Sequence, residues 1–195
     1  KQKTAYEIKE CDWSSDVCSS DLSTLSTLTL TETANMQPYD IGYDGRYLYS
    51  VANDSASPST LNLSEVIRID PITREVRHNS LPIEARYFDI AIGPTMLYSA
   101  DPMNGVVAFI DPTTLDVSNT FVLNSSGHAS RLAFDGRSVW VAEPDAHAIA
   151  RVDQLGYIDE FPISNGISTP TGVLFDGSSV WISNGGTNTV QRYTP

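Results

Sequence analysis

Asp40, Asp89, Arg131 and Gly172 each stand five positions before a recurring turn residue, Gly45, Pro94, Gly136 and Gly177. If the four segments that carry them lie side by side, two carboxylates and a guanidinium converge. Clustered carboxylate oxygens suit hard cations, so Asp40 and Asp89 are candidate ligands for Ca2+ or Mg2+. A polar ligand straddling Arg131 is a second use of the same groups, and a structural ion pair that only neutralises charge is a third. Another set of titratable residues sits in the third repeat, with His128 ahead of Glu143, Asp145 and His147. Histidine titrates near neutrality, so a nearby carboxylate would equip it for general acid–base work. Loop His and Glu residues are equally ordinary on an exposed surface, and no catalytic role follows from them alone.

The segments that must position these residues are defined by a phrase that occurs four times. It reads Tyr43-Asp-Gly-Arg-Tyr-Leu-Tyr49, Ile92-Gly-Pro-Thr-Met-Leu-Tyr98, Phe134-Asp-Gly-Arg-Ser-Val-Trp140 and Phe175-Asp-Gly-Ser-Ser-Val-Trp181. The anchors are 49, 42 and 41 residues apart, a period that belongs to the blades of a β-propeller. Within each repeat, short stretches alternate apolar and polar residues between turn residues, the pattern of half-buried antiparallel strands. The expectation is an all-β fold of about four four-stranded blades, at about 38–82, 86–123, 129–163 and 170–193.

In the first blade the strands are predicted at Tyr39–Tyr43, Tyr47–Ala52, Glu65–Asp70 and Arg74–Leu81, with the longest loop at Asn53–Ser64. The second reads Tyr87–Ile92, Met96–Ala100, Gly105–Ile110 and Leu115–Leu123. The third reads Arg131–Phe134, Val139–Ala142, Ala148–Val152 and Ile158–Ile163, and the fourth stops after its third strand, Thr189–Tyr193. Ahead of them Thr24–Thr31 alternates Leu and Thr and reads as a lone outer strand.

Asp-Gly at 44–45, 135–136 and 176–177 is expected to supply the positive φ angles of tight hairpin turns, with Gly93-Pro94 as a different device in the second blade. Asp70-Pro71 and Asp111-Pro112 are expected to open the turns between the third and fourth strands, the carboxylate capping the amides beyond it. Tyr49, Tyr98, Trp140 and Trp181 share one position of the second strand, where one blade packs on the next. A stacking platform for carbohydrate is the alternative use of such a ring of aromatics.

Residues 1–22 resemble the translation of a sequencing-library adapter: Lys1–Ile8 and Asp12–Leu22 correspond to its two constant parts, and Lys9-Glu10-Cys11 has the length of its variable index. This segment is set apart from fold reasoning. Both cysteines, Cys11 and Cys18, fall inside it, so neither a disulfide framework nor a thiolate metal site is expected in 23–195. The remainder carries 9 Arg, no Lys and 19 acidic residues. That field repels phosphate backbones, so nucleic acid is not an expected partner. No apolar run reaches the length of a membrane span. Asn53-Asp-Ser55, Asn62-Leu-Ser64 and Asn124-Ser-Ser126 fit the N-glycosylation pattern, which Ser- and Asn-rich loops also produce by chance. There is no G-x-S-x-G, H-E-x-x-H or phosphate-binding glycine loop.

Phe134-Asp-Gly-Arg-Ser-Val-Trp-Val-Ala142 followed by Ala148-Ile-Ala-Arg-Val152 resembles the repeats of NHL and YVTN propellers, and more loosely those of virginiamycin B lyase-like propellers. The resemblance covers 23–195. Members of these families commonly close six or seven blades, which implies that the chain is an internal piece of a larger ring. Alternatively, Thr24–Thr31 could pair beside the last strand and close a ring of four. The resemblance also implies an exported protein, extracellular, periplasmic or at the cell surface. The expected function is a non-catalytic binding scaffold for a protein, glycan or small-molecule ligand on the face bearing Asp40, Asp89, His128, Arg131, Glu143, Asp145 and His147. The alternative is a propeller enzyme of the lyase or lactonase kind with a divalent cation at the channel mouth.

Overall fold

The computed structural model describes residues 36–54, 64–82, 85–123, 128–163 and 169–195. All of them belong to the larger of two compact units, 32–195. The expected strand Thr24–Thr31, the adapter-like segment 1–22 and most of the 53–64 loop lie outside the described residues, as do the whole of Asn124-Ser-Ser126 and parts of the other two glycosylation motifs.

Among the described residues there are fifteen strands and no helix. Strands β1 (Met36–Tyr43), β2 (Leu48–Asp54), β3 (Ser64–Ile69) and β4 (Val76–Ser80) form one antiparallel meander. Strands β5 (Asp89–Ile92), β6 (Leu97–Asp101), β7 (Val106–Ile110) and β8 (Val117–Val122) form the second. The third comprises β9 (Arg131–Phe134), β10 (Ser138–Glu143), β11 (Ala148–Asp153) and β12 (Ile158–Pro162). The fourth has three strands, β13 (Pro170–Phe175), β14 (Val180–Asn184) and β15 (Thr189–Tyr193). The first strands of the sheets, β1, β5, β9 and β13, lie side by side in chain order, each touching the next. Four antiparallel sheets arranged about their first strands are the blades of a β-propeller.

The blades adhere through apolar layers. Tyr49, Val51, Val66 and Leu81 of the first pack on Ile90, Leu97, Ala108 and Ile110 of the second. Tyr98, Val107 and Phe109 of the second meet Leu132, Val139, Val141 and Val152 of the third. Trp140, Ile149 and Ile163 of the third meet Val180 and Ile182 of the fourth. The ring of second-strand aromatics is therefore core between blades: Tyr49, Tyr98 and Trp140 are buried, and only Trp181 is half-buried.

The turns hold two differences from expectation. In the Asp-Gly turns only glycine takes positive φ, +99° at Gly45 and +95° at Gly136 and Gly177. The aspartate acts instead as an acceptor. Asp135 Oδ1 takes the amides of Arg137 and Ser138, and its Oδ2 takes the indole N–H of Trp140 at 2.7 Å. Asp44 does the same for Tyr49 and Asp176 for Trp181. The indole of Trp181, with the amides of Ser179 and Ser178, holds the Asp176 carboxyl well below the usual range. The second blade has Gly93 in place of that aspartate, and the buried Tyr98 hydroxyl has no hydrogen-bond partner.

Strands β4 and β8 begin two residues later than expected because Arg74 and Leu115 take φ of +63° and +66°, which ends the turn before pairing can start. Asp70 and Asp111 cap the amides beyond them as expected. Strand β1 starts earlier, at Met36, across an irregularity between Pro38 and Asp40. Such a bulge lets a strand continue past a proline that cannot donate to the ladder.

Candidate functional site

Each first strand enters from the loop end of its blade, and Asp40, Asp89, Arg131 and Gly172 sit near that entry, opposite Val51, Ala100, Ala142 and Ser183. The equal offsets become lateral contacts. Asp40 Oδ2 accepts the Ile90 amide of the second blade at 3.0 Å. Asp89 Oδ2 accepts the Leu132 amide of the third at 2.5 Å. Each carboxylate thus ties its own blade to the innermost strand of the next. In the third blade the series changes sign: Arg131 reaches back, its Nη1 3.2 Å from Asp89 Oδ1.

Asp89 is 7% exposed. Burial, with the neighbouring Asp40 carboxyl, pushes its pKa up to about 6, against the opposing pull of the Leu132 amide and Arg131. A carboxyl removed from water favours its neutral form, and a second carboxyl beside it adds to the effect.

A hard cation needs several converging oxygens. Here two of the four carboxylate oxygens already accept amides, a third faces a guanidinium, and no cluster of three His, Cys, Asp or Glu suited to a metal occurs among the described residues. As arranged, Asp40 and Asp89 do not fit Ca2+ or Mg2+.

Above this belt lies an open cavity of about 450 Å3, lined by Tyr39, Phe88, Ser130, Arg131 and Thr171 with Pro102 and Pro144. Tyr39, Phe88, Ser130 and Thr171 occupy one register position, each six residues before its turn anchor. Tyr39 and Thr171 lie in β1 and β13, and Phe88 and Ser130 stand one residue ahead of β5 and β9, so all four blades contribute the same offset to one cavity. Tyr39 and Phe88 meet edge to face with centroids 4.5 Å apart. Pro102 and Pro144 come from the turns after β6 and β10. Sequence reasoning passed over these residues because aromatic and hydroxyl side chains there look like plain strand alternation. Their common offset was the available signal.

Of the third-blade set, His128 Nδ1 meets Asp145 Oδ2 on the surface, in the loops that also supply Ser130 and Pro144. Glu143, expected in an exposed loop, is the last residue of β10 and 0% exposed, because the strand runs one residue further than expected and carries its side chain into the sheet stack. His147 takes φ +53° in the following turn, where Gly105 serves in the second blade, and its carbonyl accepts the Ile163 amide at 2.9 Å. Glu143 at the end of β10 and His147 in the following turn thus stand at the same end of the blade as His128 and Asp145.

No protein-family model matches the chain, and no curated protein matches it. Among solved structures the chain is similar to a streptogramin B lyase, 17% identical with a TM-score of 0.60, covering 80% of this chain and 64% of that one. It is similar to the Cps50 (Swd1) β-propeller domain of Myceliophteria thermophila, 12% identical with a TM-score of 0.67, covering 86% of this chain and 56% of that one. A catalytically inactive virginiamycin B lyase from Staphylococcus aureus, solved with quinupristin, is 15% identical with a TM-score of 0.59 and 87% coverage of both chains. The chain spans less than two thirds of the first two. At these identities the likeness establishes the β-propeller fold.

Proposed function

We propose that the chain is a non-catalytic ligand-binding propeller scaffold whose contact face is the channel mouth. One observation carries this reading: all four blades bring the residue six before the turn anchor, Tyr39, Phe88, Ser130 and Thr171, to one open cavity of about 450 Å3. That volume lies in the range of small-molecule sites, as does the mix of apolar walls with a few polar groups. The His128–Asp145 pair extends the face on its rim, and a glycan or protein segment presenting a small group would reach the same cavity. Export to an extracellular, periplasmic or surface setting accords with the acidic, lysine-free composition of 23–195. A lyase or lactonase acting through a divalent cation draws no support from the Asp40–Asp89 arrangement, whose oxygens are already engaged.

The test is a fragment library screened by saturation-transfer NMR against the 195-residue chain and its Thr171→Trp variant. Thr171 is exposed at the cavity wall, so the indole fills the space without disturbing a core. Hits that disappear in the variant support the reading. Hits unaffected by it, or no hits at all, overturn it.

A further inference from the structure

We infer that the ligand of the channel mouth is a small ring-bearing carboxylate, its acid group held by Arg131 and its ring seated against Tyr39 and Phe88. This inference rests on the binding reading above and specifies what the cavity takes.

Arg131 is the only charged residue among those lining the cavity, in a chain whose formal net charge is −12. Its guanidinium carries five N–H donors in a planar fork, and its hydrogen bonding to Asp89 goes through Nη1 at 3.2 Å. The side chain is 52% exposed, so its remaining donors are open to solvent and to a ligand. By contrast, Arg68 is spent on the Pro112 and Thr113 carbonyls, Arg77 on Glu75 and Arg151 on Asp159. A planar fork with vacant donors matches a carboxylate, which can accept two parallel bonds from it.

The walls select the rest of the ligand. Tyr39 and Phe88 stand edge to face at 77°, leaving ring surface for a third ring to join in an offset or edge-on contact. Pro102 and Pro144 add apolar surface, and the Ser130 and Thr171 hydroxyls supply short polar contacts. An aryl acid and a pyranose acid share the required chemistry, a ring plus a carboxylate, and the hydroxyls favour neither by themselves.

Asp89 sharpens the selection. It holds Arg131 from the side of the belt, so a ligand acid shares the guanidinium with an existing carboxylate. Replacing Asp89 by the neutral Asn removes the competitor, and tighter acid binding is expected in Asp89→Asn.

The experiment measures phenylacetate and galacturonate against their neutral counterparts, phenylacetamide and galactose, by calorimetry and saturation-transfer NMR. The wild-type chain, Arg131→Gln, Asp89→Asn and Thr171→Trp are compared. At least one acid should bind the wild type about tenfold more tightly than its counterpart, as one charge-assisted bidentate pair provides. That preference should vanish in Arg131→Gln, grow several-fold in Asp89→Asn and be lost with all binding in Thr171→Trp. The pattern across the two acids tells aryl from sugar.

Equal affinity for acid and neutral probe overturns the inference, and so does an acid preference that survives Arg131→Gln. If Arg131→Gln does not fold, a failure of Asp89→Asn to tighten acid binding overturns it instead. No binding by any of the four probes also overturns it. The binding reading stands or falls separately, on the fragment hits and their loss in Thr171→Trp.

Discussion

The replacement Asp89→Asn should make the protein more stable near neutral pH and remove part of its pH dependence. Asp89 is buried between Asp40 of β1 and Arg131 of β9, and its carboxyl sits at about 6, against an ordinary value of 3.8. The folded state therefore holds this proton more tightly than the unfolded state. Stability from this group is greatest below pH 4, falls as pH rises towards 6, and is level above that. Two pKa units at about 1.4 kcal/mol each put the cost of the ionised form on the order of 3 kcal/mol.

Asparagine preserves the shape, keeps a carbonyl oxygen for the Leu132 amide, and turns an N–H toward Asp40 where the protonated acid had its O–H. The Arg131 pair that it forfeits is already counted in that cost, because the guanidinium is one of the pulls that set the value near 6. The variant should exceed the wild type by about 3 kcal/mol at pH 7.5 and by only about 1 kcal/mol near pH 4.5, as read by urea denaturation at both values. Because every carboxylate away from this belt is common to both proteins, their difference reports the Asp40–Asp89 pair. Parallel pH profiles, or an asparagine variant weaker at pH 7.5, would refute the placement of a strained carboxyl in this belt. Asp89→Ala serves as contrast: it strands the Leu132 amide and should lose about 1–3 kcal/mol at neutral pH.

Two tyrosines at one register position should respond oppositely to loss of the hydroxyl. Tyr49→Phe gives up the 3.0 Å bond to Asp44 and should cost about 1 kcal/mol, whereas Tyr98→Phe removes a buried hydroxyl without a partner and should leave the melting temperature unchanged or raise it by a few degrees. A drop in Tyr98→Phe as large as that in Tyr49→Phe would contradict the difference between the two turns. Gly156 combines φ +89° with a would-be Cβ 2.0 Å from Phe121 Cε1, so Gly156→Ala should cost about 1–3 kcal/mol, read as an earlier denaturation midpoint; an unchanged midpoint would show that the second and third blades are not in contact there. Millimolar CaCl2 or MgCl2 should leave the melting temperature unchanged, and a rise abolished in Asp40→Ala would restore a cation to the channel mouth.

The strand order was legible because a blade is a local object. Its turns, its alternation and its 41- to 49-residue period all lie along the chain, and expected strand edges moved by a few residues at most, in three places at a backbone device, Arg74, Leu115 and the Pro38–Asp40 irregularity. What a side chain does between blades depends on a neighbour some 40 residues away, and local pattern does not carry that information. Asp40 and Asp89 were visible as one register position, yet their task, accepting Ile90 and Leu132 amides from the following blade, follows from the lateral stacking of first strands. Glu143 shows the converse error, since its charge suggested a loop while β10 carries it into a fully buried place.

The repeat itself offers a way past this limit. Positions that share an offset must share a place in the ring, whatever their chemistry. Tyr39, Phe88, Ser130 and Thr171 differ in every property that a search for reactive residues uses, and the offset alone unites them. In a repeat fold the departures within one offset are where function can be written without loss of structure. Asp, Asp, Arg and Gly at one position keep two blade ties and release one guanidinium, and Tyr, Phe, Ser and Thr beside them shape the space that guanidinium faces.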